Sequence, residues 1–222
     1  MKKIIITGAS DGLGKAIAEE LADNELILIS RNEHSLKELS KKLNCKYYTC
    51  DLTDYNQIQY VTSKIDDIDI LINNAGVWLA GDIQMNSYEQ ISNCIDVNTK
   101  APIYMTKAVL PLMRKNRKGL IINVCSQSSF DNDEFSTVYN ASKWAMRGFN
   151  RSIQKQLSKE NIKVTGFYPG FMQTNLFKKA GNDYDTSTGL ETEKVAKAIR
   201  YITECDEDII IPEFGIKDID NY

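Results

Sequence analysis

The chain reads as a doubly wound α/β fold: one domain with a parallel sheet of about seven strands and helices on both faces. Three observations predict it. Short runs rich in Ile, Leu and Val alternate with longer segments of helical period, the pattern of βαβ units. Those runs are apolar at successive positions, as strands buried on both faces are. The length of 222 residues fits one domain, and no linker, repeat or low-complexity tract divides it.

The elements follow in order. Residues 4–7 form a strand, and a glycine-rich turn leads into a helix over 12–22. Strand 26–29, helix 34–43, strand 47–50, helix 54–65 and strand 68–72 come next. A long helix is expected over 87–114, with Pro102 and Pro111 as local distortions because proline lacks the backbone donor. Strand 120–124, a second long helix over 137–159, strand 164–167, helix 191–203 and a last strand at 208–211 complete the set. Residues 171–189 have no clear period. A loop of that length in a compact domain is usually a lid or a binding loop, so a substrate loop is expected there. Residues 212–222 are expected to form a polar C-terminal tail.

Composition removes several classes of function. Hydrophobic residues make up 42% and charged residues 26%, as in a folded globule. The formal charge of −3 offers no basic excess for nucleic acid. His34 is the single histidine, which excludes a His-rich metal site and forces any Ser-His-Asp mechanism through that residue. The five cysteines contain no Cys-x-x-Cys pair, against a disulfide framework or a zinc site, so no metal is expected. After Lys2 and Lys3 come only three isoleucines, too few for a secretory core. No apolar stretch approaches the roughly 18 residues that span a bilayer. A cytoplasmic protein with no membrane partner is expected.

Chemistry concentrates at the ends of the predicted strands. Thr7-Gly8-Ala9-Ser10-Asp11-Gly12-Leu13-Gly14 follows the first strand and opens the first helix. Glycines there permit a tight turn and close backbone approach. The helix N-terminus presents free N–H groups to a pyrophosphate. The spacing Gly-x-x-x-Gly-x-Gly is looser than the Gly-x-Gly-x-x-Gly fingerprint, so position carries the argument. At the end of the second strand stand Ser30 and Arg31, with no carboxylate before Glu33. Arg31 suits charge-assisted bonds to a 2′-phosphate and Ser30 adds a hydroxyl, which favours NADP(H), with NAD(H) as the alternative. Asp11, inside the turn, argues mildly the other way.

Tyr139 and Lys143 stand four apart at the start of the second long helix, on one face and one turn apart. A nearby ammonium favours a tyrosinate, and such a tyrosine can pass a proton to a carbonyl oxygen or take one from an alcohol. Ser126 lies just after strand 120–124. Asn73-Asn74-Ala75-Gly76 ends strand 68–72. Asn98, poorly suited to a helix interior, implies a polar role. Pro169 and Gly170 end strand 164–167 and lead to Thr174.

Together these motifs, spread over about residues 2–202, resemble the short-chain dehydrogenase/reductase family of the compact, Rossmann-type, single-domain kind. The resemblance implies hydride transfer between a nicotinamide cofactor and a small carbonyl or secondary alcohol. It implies Tyr139 as general acid/base, Lys143 tuning it and bonding the nicotinamide ribose, Ser126 steadying the carbonyl, and Asn98 holding a relay water. For the cofactor it implies Gly8, Ser10, Asp11, Gly12, Leu13 and Gly14 at the pyrophosphate turn, with Ser30 and Arg31 beyond it. Asp51 and Leu52 would lie at the adenine, Asn74, Ala75 and Gly76 at its ribose, and Pro169, Gly170 and Thr174 at the carboxamide. A homodimer through the two long helices is also implied.

The chain departs from the family pattern in two places. Ser126 is followed by Gln127-Ser128-Ser129-Phe130 and then Asp131, Asp133 and Glu134, without the usual small pair and proline. If those carboxylates face the pocket they discourage anionic substrates. The end of the chain lacks a glycine-rich segment, which puts a tetramer in doubt. Candidate substrate contacts are Trp78, Gln127, Phe130, Phe135, Phe171, Met172 and Phe177, largely apolar as such pockets are. Two other readings share the fold. A non-catalytic dinucleotide sensor usually loses the Tyr, Lys or Ser, all present here. An isomerase or epimerase usually carries a larger C-terminal domain.

Overall fold

The computed structural model describes residues 1–219. Strand β1 (Lys3–Thr7) is isoleucine at three successive positions, and the two-residue period of a strand divides them between two cores. Ile4 and Ile6 pack on one face with Leu13 and Ile17 of α1 (Gly12–Glu20), Leu36 and Leu39 of α2 (Glu33–Leu43), and Val195, Ile199 and Ile202 of α8 (Thr192–Glu204). Ile5 packs on the other with Ile58 of α3 (Tyr55–Thr62), Met105 and Val109 of α5 (Ala101–Asn116), and Ile153 and Leu157 of α6 (Thr137–Leu157). Burying each such side chain contributes about 2 kcal/mol.

The sheet contains seven parallel strands in the order β3-β2-β1-β4-β5-β6-β7. The others are β2 (Glu25–Ser30), β3 (Lys46–Thr49), β4 (Ile70–Asn73), β5 (Gly119–Val124), β6 (Ile162–Pro169) and β7 (Glu213–Ile216). The first three strands run outward from β1 on one side, and β4 returns to pair with β1 on the other. The order therefore reverses between β1 and β4, and a crevice opens at their carboxyl ends, where such folds bind ligands.

Two expected elements differ. The helix expected over 87–114 is broken into α4 (Tyr88–Ile95), a π-helical turn (Asp96–Lys100) and α5. Pro102 is the cause: in an α-helix its missing N–H would have met the Asn98 carbonyl. The ladder instead widens, and the Ala101 N–H reaches Asp96 O. By contrast, α5 continues through Pro111.

The last strand lies at Glu213–Ile216, not at 208–211, so the expected polar tail begins with a strand. Ile209 and Ile210 are about half exposed. Lys163 Nζ donates to the carbonyls of Asp206, Glu207 and Ile209 and holds that stretch in an irregular loop. Pro212 offers no ladder N–H, and pairing with β6 begins just after it at Glu213. The remainder of the expected tail, 220–222, lies outside the described residues. The expected loop 171–189 contains one short helix, α7 (Leu176–Lys179), and Met172 pairs with Leu190 at its root. Among the described residues, no helix is long and apolar enough to cross a membrane, and no cluster of His, Cys, Asp or Glu could hold a metal ion.

Candidate active site

The crevice begins at Thr7, which is buried at the end of β1. Its Oγ1 accepts from the N–H groups of Asn74 (3.0 Å) and Ala75 (3.2 Å) and donates to Ile72 O (3.4 Å). One hydroxyl thus ties the ends of β1 and β4 together. Gly8 follows with φ +66°, and a Cβ there would lie 2.8 Å from Ala75 Cα. At Gly14 a Cβ would lie 2.2 Å from Gly8 O, so this glycine packs α1 against the turn and does not itself line the cleft. Asp11 caps α1, its Oδ1 accepting from the Gly12 N–H at 2.7 Å.

One continuous cleft is lined by Gly8, Ser10, Asp11, Gly12, Leu13, Ser30, Arg31, Asp51, Leu52, Asn74, Ala75, Gly76, Tyr139, Lys143 and Thr174. The chain therefore brings fifteen expected cofactor contacts, from six segments, to one groove. Ser10 Oγ and Ser30 Oγ are 2.8 Å apart. Arg31 is exposed at the rim, and among the described residues no carboxylate pairs with it. Asp51 Oδ1 accepts from both the N–H and the hydroxyl of Thr53. Pro169 and Gly170 lie outside the lining, where the Gly170 N–H joins β7 through Ile216 O. His34 sits on the solvent face of α2, 3.4 Å from Glu38, away from the cleft.

At the other end of the cleft stand Tyr139 and Lys143. Lys143 is only 5% exposed, and its Nζ is 5.5 Å from the centre of the Tyr139 ring and 3.4 Å from Val124 O. A buried ammonium is costly unless it interacts with polar or π-electron density, and both partners are on the cleft wall. The first turns of α6 are fixed from several sides. Ser129 Oγ donates to Lys143 O (2.9 Å), Ser142 Oγ donates to Tyr139 O (2.6 Å), and Asn98 Nδ2 donates to Ser142 Oγ (3.0 Å). Asn98 also clamps Val77, accepting from its N–H and donating to its carbonyl, both at 2.9 Å. The amide's donors and one lone pair of its oxygen are thereby engaged. Ser126 Oγ accepts from the Ser128 N–H (3.1 Å) and caps a short 3₁₀ turn.

Beneath these groups runs a buried amide ladder that sequence reasoning missed. Asn73 Nδ2 donates to Asn123 Oδ1 (2.8 Å), and Asn123 Nδ2 donates to Asn150 Oδ1 (2.6 Å). Asn150 Nδ2 then reaches Cys125 Sγ (3.3 Å). It couples β4, β5 and α6 below the cleft floor. The argument applied to Asn98, that asparagine is poorly suited to a regular element without a polar task, would have found Asn123 and Asn150 as well. Burial pushes the Cys125 thiol up to about 11, with the Lys143 charge partly opposing. Cys125 is therefore an unreactive thiol at neutral pH.

The candidate substrate contacts scatter. Trp78, Phe177 and Tyr184 meet edge to face at 4.7–5.6 Å between ring centres, and Phe171 tilts onto Phe177 at 5.4 Å. Trp78 Nε1 donates to Ser136 Oγ, one turn before Tyr139. Gln127 instead turns its amide to Tyr168 O at 2.7 Å, underneath β7. Phe130 stacks under the Arg147 guanidinium at 3.9 Å, and Phe135 is 60% exposed. Met172 lines the cleft. Asn175, Leu176 and Lys179 also line it, because the fold brings segment 171–189 over the turn.

Comparison with known proteins agrees with this architecture. The short chain dehydrogenase family model matches residues 2–185. An uncharacterised oxidoreductase of Staphylococcus epidermidis is 32% identical, with 98% of this chain and 97% of the relative covered. The closed form of a serine dehydrogenase complexed with NADP+ superposes with a TM-score of 0.93 at 27% identity, covering 99% of this chain and 96% of the other. An alcohol dehydrogenase from the archaeon Thermococcus sibiricus, complexed with 5-hydroxy-NADP, gives 0.88 at 25% identity, covering 99% and 97%. The crevice at the β1–β4 reversal, the glycine turn and these matches lead to one conclusion: the chain belongs to the short-chain dehydrogenase family of oxidoreductases.

Proposed function

We propose that the chain transfers hydride between NADP(H) and a small carbonyl or secondary-alcohol substrate, with Tyr139 as general acid/base. The observation that carries this reading is the buried Lys143 ammonium beside the Tyr139 ring, in the cleft that starts at the glycine turn.

The turn fits a dinucleotide. Gly8 and Gly14 leave no room for a methyl group and so pack the turn tightly, while Gly8 and Gly12 line the cleft without a side chain and α1 opens toward it. Gly8, Ser10, Gly12 and Leu13 would hold the phosphates. Asp51, Leu52, Asn74, Ala75 and Gly76 would line the adenosine, and Thr174 the nicotinamide end. Arg31, without a competing carboxylate, with Ser10 and Ser30 beside it, supports a 2′-phosphate and hence NADP(H) over NAD(H). NADP in related structures supports the same choice. When bound, the nicotinamide supplies or accepts the hydride.

Tyr139 holds a proton at its phenol oxygen and delivers it to the carbonyl oxygen in reduction. The Lys143 ammonium stands beside Tyr139 on the same cleft wall, 5.5 Å from the ring centre. Ser126 orients the carbonyl, and Asn98 positions Val77 and the first turn of α6. The relatives called serine and alcohol dehydrogenase support a hydroxyl-bearing substrate class. Five free cysteines fit a reducing, cytoplasmic setting. A homodimer through α5 and α6 completes the reading.

The test is a screen for NADPH oxidation across aldehydes, ketones, 3-oxoacyl thioesters and pterins, paired with NADPH and NADH titrations of wild type and Arg31→Ala. Turnover of a carbonyl and a selective loss of NADPH affinity in Arg31→Ala are expected. Tight binding with no turnover across the panel would favour a non-catalytic sensor. Equal affinity for both cofactors in wild type would remove the NADP assignment.

A further inference from the structure

The lid 171–189 meets the phosphate turn at three points. Thr174 faces Gly12, where a Cβ would lie 3.6 Å from Thr174 Cγ2. Asn175 stands beside the Asp11 carboxylate. From α7, Lys179 Nζ reaches Asp11 Oδ2 at 2.6 Å. All four side chains or their backbones line the cleft, and Lys179 shares a second pocket with Arg31.

The pair has an electrostatic consequence. Asp11 already places a negative charge on the N-terminus of α1, which is the site a phosphate group would use. Burial favours its neutral form, yet the Lys179 ammonium and the Gly12 N–H outweigh that and hold the carboxyl below the usual range. Asp11 is thus ionised at neutral pH and, unpaired, would repel a pyrophosphate. Lys179 supplies the missing charge from a segment that is otherwise seated on aromatic rings.

We propose that Lys179 is a cofactor-binding residue carried by segment 171–189: it neutralises Asp11 and presents its ammonium to the dinucleotide's phosphates. The proposal rests on the dinucleotide reading above. It adds a specific cation to the phosphate subsite. Neighbouring Lys178 is outside the cleft lining and serves as the control.

The experiment measures the NADPH dissociation constant by ligand fluorescence at low salt. It compares wild type with Lys178→Met, Lys179→Met, Lys179→Arg and the double variant Asp11→Asn/Lys179→Met. Lys179→Met is expected to bind about tenfold more weakly, the size of one charge-assisted contact. Lys178→Met and Lys179→Arg should stay within about threefold of wild type, and the double variant, which removes the Asp11 charge along with the ammonium's contact, should bind between Lys179→Met and wild type. Chymotrypsin cleavage at Phe177 and Tyr184 gives a readout independent of turnover. At matched saturation NADPH should protect the wild-type lid and not the Lys179→Met lid. Wild-type affinity and full protection in Lys179→Met would overturn the proposal. A wild-type chain that binds neither NADPH nor NADH would instead overturn the dinucleotide reading, and the proposal with it.

Discussion

The two walls of the cleft are built by different means. On the turn side, backbone meets backbone: a methyl group at Gly14 would lie 2.2 Å from Gly8 O, and one at Gly8 would lie 2.8 Å from Ala75 Cα. On the other side, segment 171–189 lines the cleft through side chains such as Met172 and Leu176, and the rings of Trp78, Phe171, Phe177 and Tyr184 meet there side chain to side chain at 4.7–5.6 Å. The first wall can accept one shape, and the second can be re-formed by changing side chains. A common cofactor suits the rigid wall. Choice of substrate suits the adaptable one.

Substitutions should separate the two. Gly14→Ala forces backbone to move and is expected to cost about 3 kcal/mol of folding stability, read by denaturant unfolding, along with most cofactor affinity. A stable Gly14→Ala chain with wild-type NADPH binding would end the claim of a rigid wall. Phe177→Ala removes rings from the lid and is expected to cost about 1 kcal/mol of stability while raising substrate KM about tenfold at nearly constant kcat. A collapse of NADPH binding there, with substrate KM unchanged, would reverse the assignment of the two walls.

The substrate side is also held by polar ties from β7, and these should matter least. Glu213 takes charge-assisted bonds from Arg147 and Arg151, each at 3.2 Å. Burial alone would raise its carboxyl, but the two guanidinium groups hold it below the usual range. A depressed carboxylate stabilises the fold above its unfolded value near 4.3, and that stabilisation is lost as pH falls through the folded value. Glu213→Gln is therefore expected to cost about 1 kcal/mol at neutral pH, with the difference from wild type shrinking as pH falls below about 4.3 and vanishing below the folded value. A difference that persists in acid would show the effect to be packing and not charge.

The same contrast explains what the sequence could reveal. The turn 7–14 and the Tyr139/Lys143 pair were legible because their geometry is local: spacing along one loop or one helix decides who stands beside whom. The sheet was legible because isoleucine runs have few other uses. The π-helical turn was only partly legible. Pro102 signalled a distortion, but the form it took depends on Asn98 reaching across to Val77. The final strand was misplaced because Ile209, Ile210 and Ile211 look more strand-like than Glu213–Ile216. Pro212 was visible next to them, but the lysine from β6 that holds residues 206–209 in a loop acts from far along the chain. The amide ladder and the Lys179–Asp11 pair join residues far apart in the chain, so the sequence could mark single members but only the folded arrangement shows the pairing.

The central claim is that the rigid turn and the Tyr139/Lys143 pair serve one reaction in one cleft. Tyr139→Phe tests it most directly, because it removes only the phenol oxygen. NADPH binding is measured by titration and its oxidation by absorbance in the same sample, with a carbonyl that the wild type reduces. The account predicts an NADPH dissociation constant within about threefold of wild type and a turnover rate lower by about a thousandfold, the scale of a lost general acid. Turnover retained near the wild-type rate would contradict it.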